Sequence, residues 1–356
     1  MARFPRQLFL SSILAGLIFH GLAHAQTEEV FADPGFTNPK IRFNTGRTTN
    51  FAPEISPVVP NIPGSPSPWY VAQWNKQDLL RGDKMVTNDR AYSDARLGTP
   101  TYTFNTTDGE SRLSIFVMPK GNVFELGAKG GSLSPVGGSD ILLAANAARA
   151  SATLDKLMIY SLDIKLSQAS VRAPPAATQS GAVLVQVVSG FTVQFADPKS
   201  NEKISIFMQL NHAESRGRYD EYRACYPHDR VEEIVTNYSG NLDYRLPFRP
   251  TRGPPVHATY NLNQHLCRVI ATPFICRYAD GRTEPLKFSA AAHDFKNWRV
   301  ASMYVGLETE DHDARATAPT HAQQGDVSVA VQLSDLHVLR HLDHDFTYAQ
   351  CAEELR

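Results

Sequence analysis

The sequence lacks the motifs that would define an enzyme class at once. It contains no Gly-x-Ser-x-Gly elbow, no His-Glu-x-x-His motif and no phosphate-binding Gly-x-x-x-x-Gly-Lys loop. It also shows no internal repeat and no helical period sustained over three turns. These absences argue against serine hydrolases, zinc metalloproteases and nucleotide-dependent enzymes.

An excess of charge of either sign is also missing, because 35 basic residues face 36 acidic ones. Proteins that bind nucleic acid or anionic membranes carry a basic surface, so the sequence predicts neither partner. Beyond residue 25, no apolar run approaches the roughly 20 residues that span a bilayer, so no membrane span is predicted.

The N-terminus has the three parts of a secretory signal peptide. Arg3 and Arg6 form a basic start, Leu8–Phe19 is an apolar run, and Ala23-His24-Ala25 is a small-residue cleavage site. We predict cleavage near Ala25, which would leave Gln26 as the new N-terminus. The protein is then expected to be secreted or periplasmic.

Cysteine is scarce, and an even number in an exported chain predicts disulfides. The four cysteines are Cys225, Cys267, Cys276 and Cys351. Cys267 and Cys276 flank a hairpin-like span, so we predict that they pair and that Cys225 pairs with Cys351. No two cysteines have the spacing of zinc ligands, and we predict no metal and no cofactor.

Proline and glycine are abundant, with 23 and 22 residues. Six prolines between residues 53 and 68 predict an extended leader over 26–68, which precedes a folded body over 69–356. Within that body, Thr101–Phe104 and Arg112–Val117 bracket a Thr-Asp-Gly turn and predict a hairpin. Many further short β-type runs follow, and Ile141–Arg149 is the best candidate for a short helix. The pattern predicts an all-β protein, an antiparallel β-sandwich of jelly-roll type with one short helix and a Pro-rich N-terminal leader.

The most informative stretch for chemistry is 298–311. Strand alternation would place Val300, Ser302, Tyr304, Gly306, Glu308 and Glu310 on one face. Two neighbouring carboxylates can serve as acid and as nucleophile or base in glycoside hydrolysis. We therefore select Glu308 and Glu310 as candidate catalytic residues, and the alternative is a strand that runs into a solvated acidic loop.

A second candidate set lies in the run at 204–214, where alternation would place Gln209 and Asn211 on one face, and just after it. Gln209, His212 and Tyr219 are residue types that a polysaccharide lyase uses to remove a proton next to a uronate carboxylate, and we include them as catalytic candidates. Arg216 and Tyr222 could bind that carboxylate or sugar hydroxyls. The alternative is that these polar residues bond to loop backbone at a strand end.

Aromatic residues offer a third kind of contact, because exposed rings stack on sugar faces. We expect Trp69, Tyr70, Trp74 and Trp298 to be exposed and to bind substrate in this way. In contrast, His337, His341 and His344 would share one face only in a helix. Because His337 lies in a β-type run, we predict a solvated segment there and no metal site.

The closing segments resemble those of concanavalin-like jelly rolls. The resemblance rests on Trp298…Tyr304-Val-Gly-Leu-Glu308, Val327–Leu333 and Asp335-Leu-His-Val338, and covers about a third of the chain. The resemblance implies a fold that serves secreted glucanases, polysaccharide lyases and lectin-like modules. The sequence departs from alginate-lyase-like members, whose Gln and His stand two residues apart, because Gln209 and His212 are three apart. It also lacks the Glu-x-Asp-x-Glu of retaining glucanases.

Together these observations predict a secreted polysaccharide-degrading enzyme, a glycoside hydrolase or a polysaccharide lyase, whose partner is an extracellular polysaccharide. The alternatives are a non-catalytic glycan-binding or adhesion protein and an envelope-associated structural protein. The enzyme hypothesis requires Glu308, Glu310, Gln209, His212 and Tyr219 to converge in one groove.

Overall fold

A computed structural model describes most of the chain. The described residues are 26–36, 38, 42–44, 55–58, 67–72, 101–106, 109–116, 122–130, 141–148, 152–172, 183–195, 204–217, 222–228, 231–237, 245–272, 275–277, 282–311 and 326–354. The predicted signal peptide, Trp74 and Tyr219 lie outside them.

Strands dominate the described residues. In chain order they are β1 (Thr27–Glu29), β2 (Arg42–Asn44), β3 (Ile55–Val58), β4 (Tyr70–Ala72), β5 (Thr101–Thr106), β6 (Gly109–Phe116), β7 (Val123–Gly130), β8 (Ile141–Asn146), β9 (Lys156–Arg172), β10 (Val183–Phe195), β11 (Ile204–Glu214), β12 (Tyr222–His228), β13 (Val231–Asn237), β14 (Val256–Asn261), β15 (Ile275–Arg277), β16 (Thr283–Pro285), β17 (Trp298–Asp311) and β18 (Asp326–Asp345). The described residues also include two helices, α1 (Leu262–Ala271) and α2 (Tyr348–Glu354), and two short 3-10 turns (Ala290–His293 and Phe295–Asn297).

Two large sheets form the sandwich. The seven-stranded sheet has the order β14-β9-β18-β7-β6-β5, and β1 pairs with β18. The nine-stranded sheet has the order β12-β13-β11-β10-β17-β8-β4-β2-β3. Most neighbours are antiparallel, and the parallel pairs are β11–β13 and β2–β4. The prediction of an antiparallel β-sandwich of jelly-roll type is confirmed.

The core lies between the two sheets and is built by strand alternation. On β9 every second side chain from Met158 to Leu166 is buried, and these residues belong to one apolar cluster. From the other sheet, Phe191 on β10 and Val305 on β17 belong to the same cluster. Alternating apolar residues on facing sheets bury one face of each strand, which is the main source of stability in a sandwich.

Helix α1 closes one part of this core. Asn261 caps its N-terminus by accepting hydrogen bonds from the backbone N–H groups of Asn263 and Gln264. The buried Asn263 side chain donates to the backbone oxygens of Leu154 and Lys156, at 2.6 and 3.0 Å, and accepts from Met158 N at 2.7 Å. These bonds fix the helix to the start of β9.

The cysteine pairing differs from the prediction. Cys267 on α1 forms a disulfide with Cys351 on α2, so the predicted pairs Cys267–Cys276 and Cys225–Cys351 are wrong. Cys276 is disulfide-bonded as well. The error arose because the span after Cys267 was interpreted as a hairpin, whereas Cys267 lies inside a helix that packs against another helix.

The local predictions had mixed outcomes. The hairpin is confirmed, because β5 and β6 pair and Thr106 lies opposite Gly109. The helix predicted at 141–149 is wrong, because 141–146 form β8. Leu143 and Ala145 of that strand face the core, and Leu142 and Ala144 join a second apolar cluster, so burial on both faces outweighs helix propensity.

Parts of the predicted leader pair with the sandwich. The strand β1 adds to β18, and β2 and β3 add to the edge of the nine-stranded sheet. Among the described residues, no helix has the length and apolar character needed to cross a membrane.

Candidate functional site

The candidate site lies on the outer face of the nine-stranded sheet, where β11, β10 and β17 are neighbours. Alternation directs Val185, Val187 and Phe191 of β10 into the core and leaves Gln186 on the outer face. Gln186 lies directly opposite Glu308 on β17 and Glu214 on β11. The centre of this face therefore carries a row of polar side chains across three strands.

Four of these side chains form a closed hydrogen-bond network, here called the outer network: Gln186, Gln209, Asn211 and Glu308. The amide nitrogens of Gln186 and Gln209 both donate to Glu308 Oε2, each at 3.0 Å. Asn211 donates to Gln186 Oε1 at 2.6 Å, and Gln209 donates to Asn211 Oδ1 at 3.4 Å. All four residues are between 3% and 7% exposed. A buried carboxylate needs such donors, and here neutral amides supply them.

A second buried carboxylate lies on the same face. Glu214, at the end of β11, accepts a hydrogen bond from Arg216 Nε. Because Gln186 stands between Glu214 and Glu308 in the register, the two carboxylates are two strand spacings apart, or about 10 Å between Cα atoms. Carboxyl groups that lean toward Gln186 can therefore reach the separation of about 5–9.5 Å that glycosidases use.

An apolar and aromatic patch adjoins the outer network. Tyr304 lies two strand positions before Gly306 and four before Glu308, and its ring stacks on Phe207 at 5.1 Å with an interplanar angle of 16°. The Tyr304 ring covers Gly190, where a Cβ atom would overlap its Cε1 and Cζ atoms. Glycine is therefore required at position 190, because only its lack of a side chain lets the ring lie flat on the sheet.

The face is more open toward Phe207. Phe207 and Ser302 are half-buried and Asn146 is exposed, whereas the residues around Glu308 are buried. Phe207 offers a stacking surface, and Ser302 and Asn146 offer hydrogen-bond partners, whereas Tyr304, stacked against Phe207, is 2% exposed. Such a combination suits sugar rings, which present C–H faces and hydroxyl edges.

His212 lies on the core side of the same sheet, away from Gln209. The β10–β11 register shifts between Val187 and Val188, so His212 is an additional residue of β11. Its Nε2 atom contacts Ser189 Oγ at 2.7 Å, and Ser189 contacts the Tyr160 hydroxyl at 2.6 Å. These three residues are called the core network below.

Burial governs the chemistry of the core network. Desolvation lowers the pKa of His212 to about 3, so the imidazole is neutral at neutral pH. Burial also raises the pKa of Tyr160, an effect that its hydrogen bond to Ser189 partly offsets. A serine and a histidine in hydrogen-bond contact could suggest a nucleophile, but all three side chains are fully buried in the core.

The other sequence-derived candidates are placed as follows. The β17 backbone at Glu310 lies opposite Leu184, two positions beyond Glu308, and Tyr222 begins β12. Arg216 bonds to Glu214. The alternation expected from Val300 onward is interrupted, because the β10–β17 register shifts between Thr192 and Val193 and Val300 points into the core.

The expectation that Trp69 and Trp298 are exposed is wrong, because both are fully buried. Trp69 packs against Phe31 and Phe36, and its indole nitrogen donates to Asp33 O at 3.0 Å. Trp298 donates to Ala292 O at 2.7 Å. Tyr70 is also buried, and it belongs to the apolar cluster that includes Tyr304.

Two site residues were missed at the sequence level. Gln186 interrupts a run of valines on β10, and Glu214 ends the polar run that contains Gln209. A glutamine among the valines that begin a central strand was a usable signal. Its partners could not be identified, because they depend on the register between strands.

No protein family and no curated protein matches the chain by sequence. Among solved structures, a family 11 xylanase from Neocallimastix patriciarum is similar at a TM-score of 0.32 and 7% identity, covering 68% of this chain and 91% of that one. A cellulase variant derived from Rhodothermus marinus is similar at a TM-score of 0.32 and 9% identity, covering 67% and 90%. Both likenesses are distant.

Proposed function

We propose that the protein is a secreted polysaccharide-degrading enzyme, a glycoside hydrolase that acts on the outer face of the nine-stranded sheet. The observation that carries this proposal is the buried Glu308, held by two amide donors, with a second buried carboxylate across Gln186. Glycoside hydrolysis needs two carboxyl groups that flank the scissile bond.

The surroundings of the two carboxylates suggest their roles. Arg216 offsets the negative charge of Glu214, which suits the residue that must be ionised as nucleophile or general base. Glu308 then takes the other role, as the acid that carries the proton to the leaving oxygen. Glu310, the partner predicted from the sequence, remains the alternative to Glu214.

In this mechanism the sugar chain lies along the sheet face, with one ring against Phe207, which is stacked on the buried Tyr304. Glu308 protonates the glycosidic oxygen, the C–O bond breaks, and Glu214 attacks the anomeric carbon or activates a water that does so. The Gln186 and Gln209 amides keep the Glu308 carboxyl in one orientation through both steps.

We favour hydrolysis over elimination because of where His212 lies. A lyase would need Gln209, His212 and a tyrosine on the same side of the sheet, and His212 is in the core network with Ser189. Its low pKa, caused by burial, also makes it a poor base at neutral pH.

The test is a screen of the purified protein against a polysaccharide panel, with reducing ends and absorbance at 235 nm measured together. New reducing ends without absorbance are expected. Absorbance at 235 nm would indicate a lyase, and binding without cleavage would favour the non-catalytic glycan-binding alternative. On a cleaved substrate, Glu214→Gln should lower kcat by at least about 10³-fold if Glu214 is the partner carboxylate. Full activity in this variant would return that role to Glu310.

A further inference from the structure

A separate group of metal-ligating side chains lies on the outer face of the seven-stranded sheet. Asp163 on β9, His257 on β14 and Asp335 on β18 each place one ligand atom within 4.8 Å of the other two. Asp163 lies directly opposite His257 in the β9–β14 pair and opposite Ser334 in the β9–β18 pair. The three ligands therefore come from three neighbouring strands, which hold their backbones in place.

A bulge in β18 brings Asp335 to this surface. Leu333 and Leu336 both face the core although they are three residues apart, and the register shifts between Ser334 and His337. Asp335 occupies the left-handed region with φ of 50°, a conformation that aspartate tolerates better than most residues. Because of this bulge, Asp335 and His337 both point outward.

His337 holds Asp335 in place from beside the cluster. Its Nε2 atom lies 3.1 Å from Asp335 Oδ1, and its Nδ1 atom contacts the Glu29 carboxylate of β1. Carboxylate oxygens accept hydrogen bonds, so the imidazole donates to both of them. Metal-binding carboxylates are commonly oriented by such an outer hydrogen bond, and His337 supplies it to Asp335.

We propose that Asp163, His257 and Asp335 bind one divalent transition-metal ion, with Zn²⁺ as the best fit. One imidazole and two carboxylates are a mixed nitrogen and oxygen set that zinc accepts, with water in the fourth tetrahedral position. Bonds of about 2.1 Å place tetrahedral ligand atoms about 3.4 Å apart. The three ligand atoms already lie within 4.8 Å of one another, and His257 Nδ1 and Asp163 Oδ1, now 2.7 Å apart, would separate by about 0.7 Å.

The position of this site defines its role. It lies on the other sheet from Glu308, and its ligands join β14, β9 and β18, while Glu29 connects it to β1. A bound ion would link these strands and offset the negative charge that two converging carboxylates create. The site is therefore structural and independent of the proposed catalytic carboxylates.

The experiment is isothermal titration of the chelator-treated full protein with ZnCl₂. One Zn²⁺ per chain is expected, and the double variant Asp163→Asn/His257→Gln should weaken binding by at least about tenfold. The matched control is Asp343→Asn/His344→Gln, which changes the same residue types at exposed positions of β18 and should bind like the unaltered protein. Equal affinity in the first variant, or no saturable binding to the unaltered protein below about 1 mM, would overturn the proposal.

A second measurement needs no variant. Zn²⁺ should slow the modification of His257 by diethyl pyrocarbonate at least about threefold and leave the modification of His344 unchanged, as expected if only one of these histidines is coordinated. Equal rates at His257 with and without Zn²⁺ would contradict the assignment even if the variants failed to fold.

Discussion

The two sides of the nine-stranded sheet carry buried polar networks that are close in sequence but differ in chemistry. The core network joins Ser189, His212 and Tyr160 through hydroxyl and imidazole groups inside the sandwich. The outer network joins a carboxylate to three amides on the opposite face of the same strands. The two sides meet at neighbouring residues of β10, because Val188 faces outward and Ser189 faces the core.

The difference shows that residue type alone does not identify a reactive site. Ser189 and His212 are types found in nucleophilic catalysis, but burial between two sheets keeps the imidazole neutral and fully enclosed. Glu308 accepts hydrogen bonds from amide groups, which are not types found in nucleophilic catalysis. It lies, however, on the outer face of the sheet, which becomes more exposed near Phe207. We therefore expect the core network to govern stability and the outer network to govern activity.

The largest expected effect is acid destabilisation through the core histidines. Burial lowers the pKa of His212 to about 3, and burial together with Arg268 lowers that of His265 to about 3. Because an unfolded histidine titrates near 6.5, the unfolded state binds more protons than the folded state between pH 6.5 and 3, so stability falls as pH falls. From pH 7 to 5 the free energy of unfolding should drop by about 4 kcal/mol for the two histidines together. Urea denaturation at each pH measures this free energy. If the unfolding free energy of a His212→Gln/His265→Gln variant depended on pH as steeply as that of the unaltered protein, the account would be contradicted.

The next largest effect is expected at the contact between β10 and Tyr304. Gly190→Ala introduces a Cβ atom where the Tyr304 ring lies, and should cost about 3 kcal/mol because the ring must leave the sheet. Adding Tyr304→Leu should recover most of that loss, as measured by urea denaturation in a double-mutant cycle. Additive losses in the double variant would show that the two residues do not interact.

A smaller loss of stability is expected when the core network is broken. Ser189→Ala removes the group that both His212 and Tyr160 bond, and should cost about 2 kcal/mol because two buried polar atoms lose their partner. The control Ser302→Ala changes a half-buried serine on the outer face and should cost less than about 0.5 kcal/mol. Equal losses of unfolding free energy in Ser189→Ala and Ser302→Ala would contradict this expectation.

The smallest free-energy change is expected when a single amide donor of the outer network is removed. Gln186→Leu removes one donor to Glu308 and should lower kcat about tenfold, or about 1.4 kcal/mol, through poorer orientation of the carboxyl. Its matched control is Gln332→Leu on β18, because the Gln332 amide donates to Glu125 in the same way at 2.9 Å. The control should retain full kcat on the substrate found in the panel. A similar fall in both variants would indicate a general effect of losing a buried amide.

Strand alternation predicted much of this architecture. The β5–β6 hairpin followed from turn residues between two β-type runs, and the placement of Gln209 with Asn211 on one face followed from their spacing. The shared face of Ser302, Tyr304 and Glu308 was also predicted correctly. These predictions depend only on contacts that repeat every second residue.

Irregularities in the strands explain most of the failures. Bulges at Val187/Val188 and Thr192/Val193 send His212 and Val300 into the core, and each inserts a residue that alternation cannot anticipate. The cysteine pairing failed for a related reason, since it depends on the packing of α1 against α2 rather than on spacing. Sequence also could not separate a buried indole such as Trp69 from an exposed one.

The most direct test of the central claim compares two buried glutamates that are bound alike. Glu308 on the outer face and Glu125 in the seven-stranded sheet each accept a hydrogen bond from a glutamine amide at Oε2. Reducing-end release should fall by at least about 10³-fold in Glu308→Gln and stay within about twofold in Glu125→Gln. Unchanged hydrolysis in Glu308→Gln, with both variants folded by circular dichroism, would contradict the account.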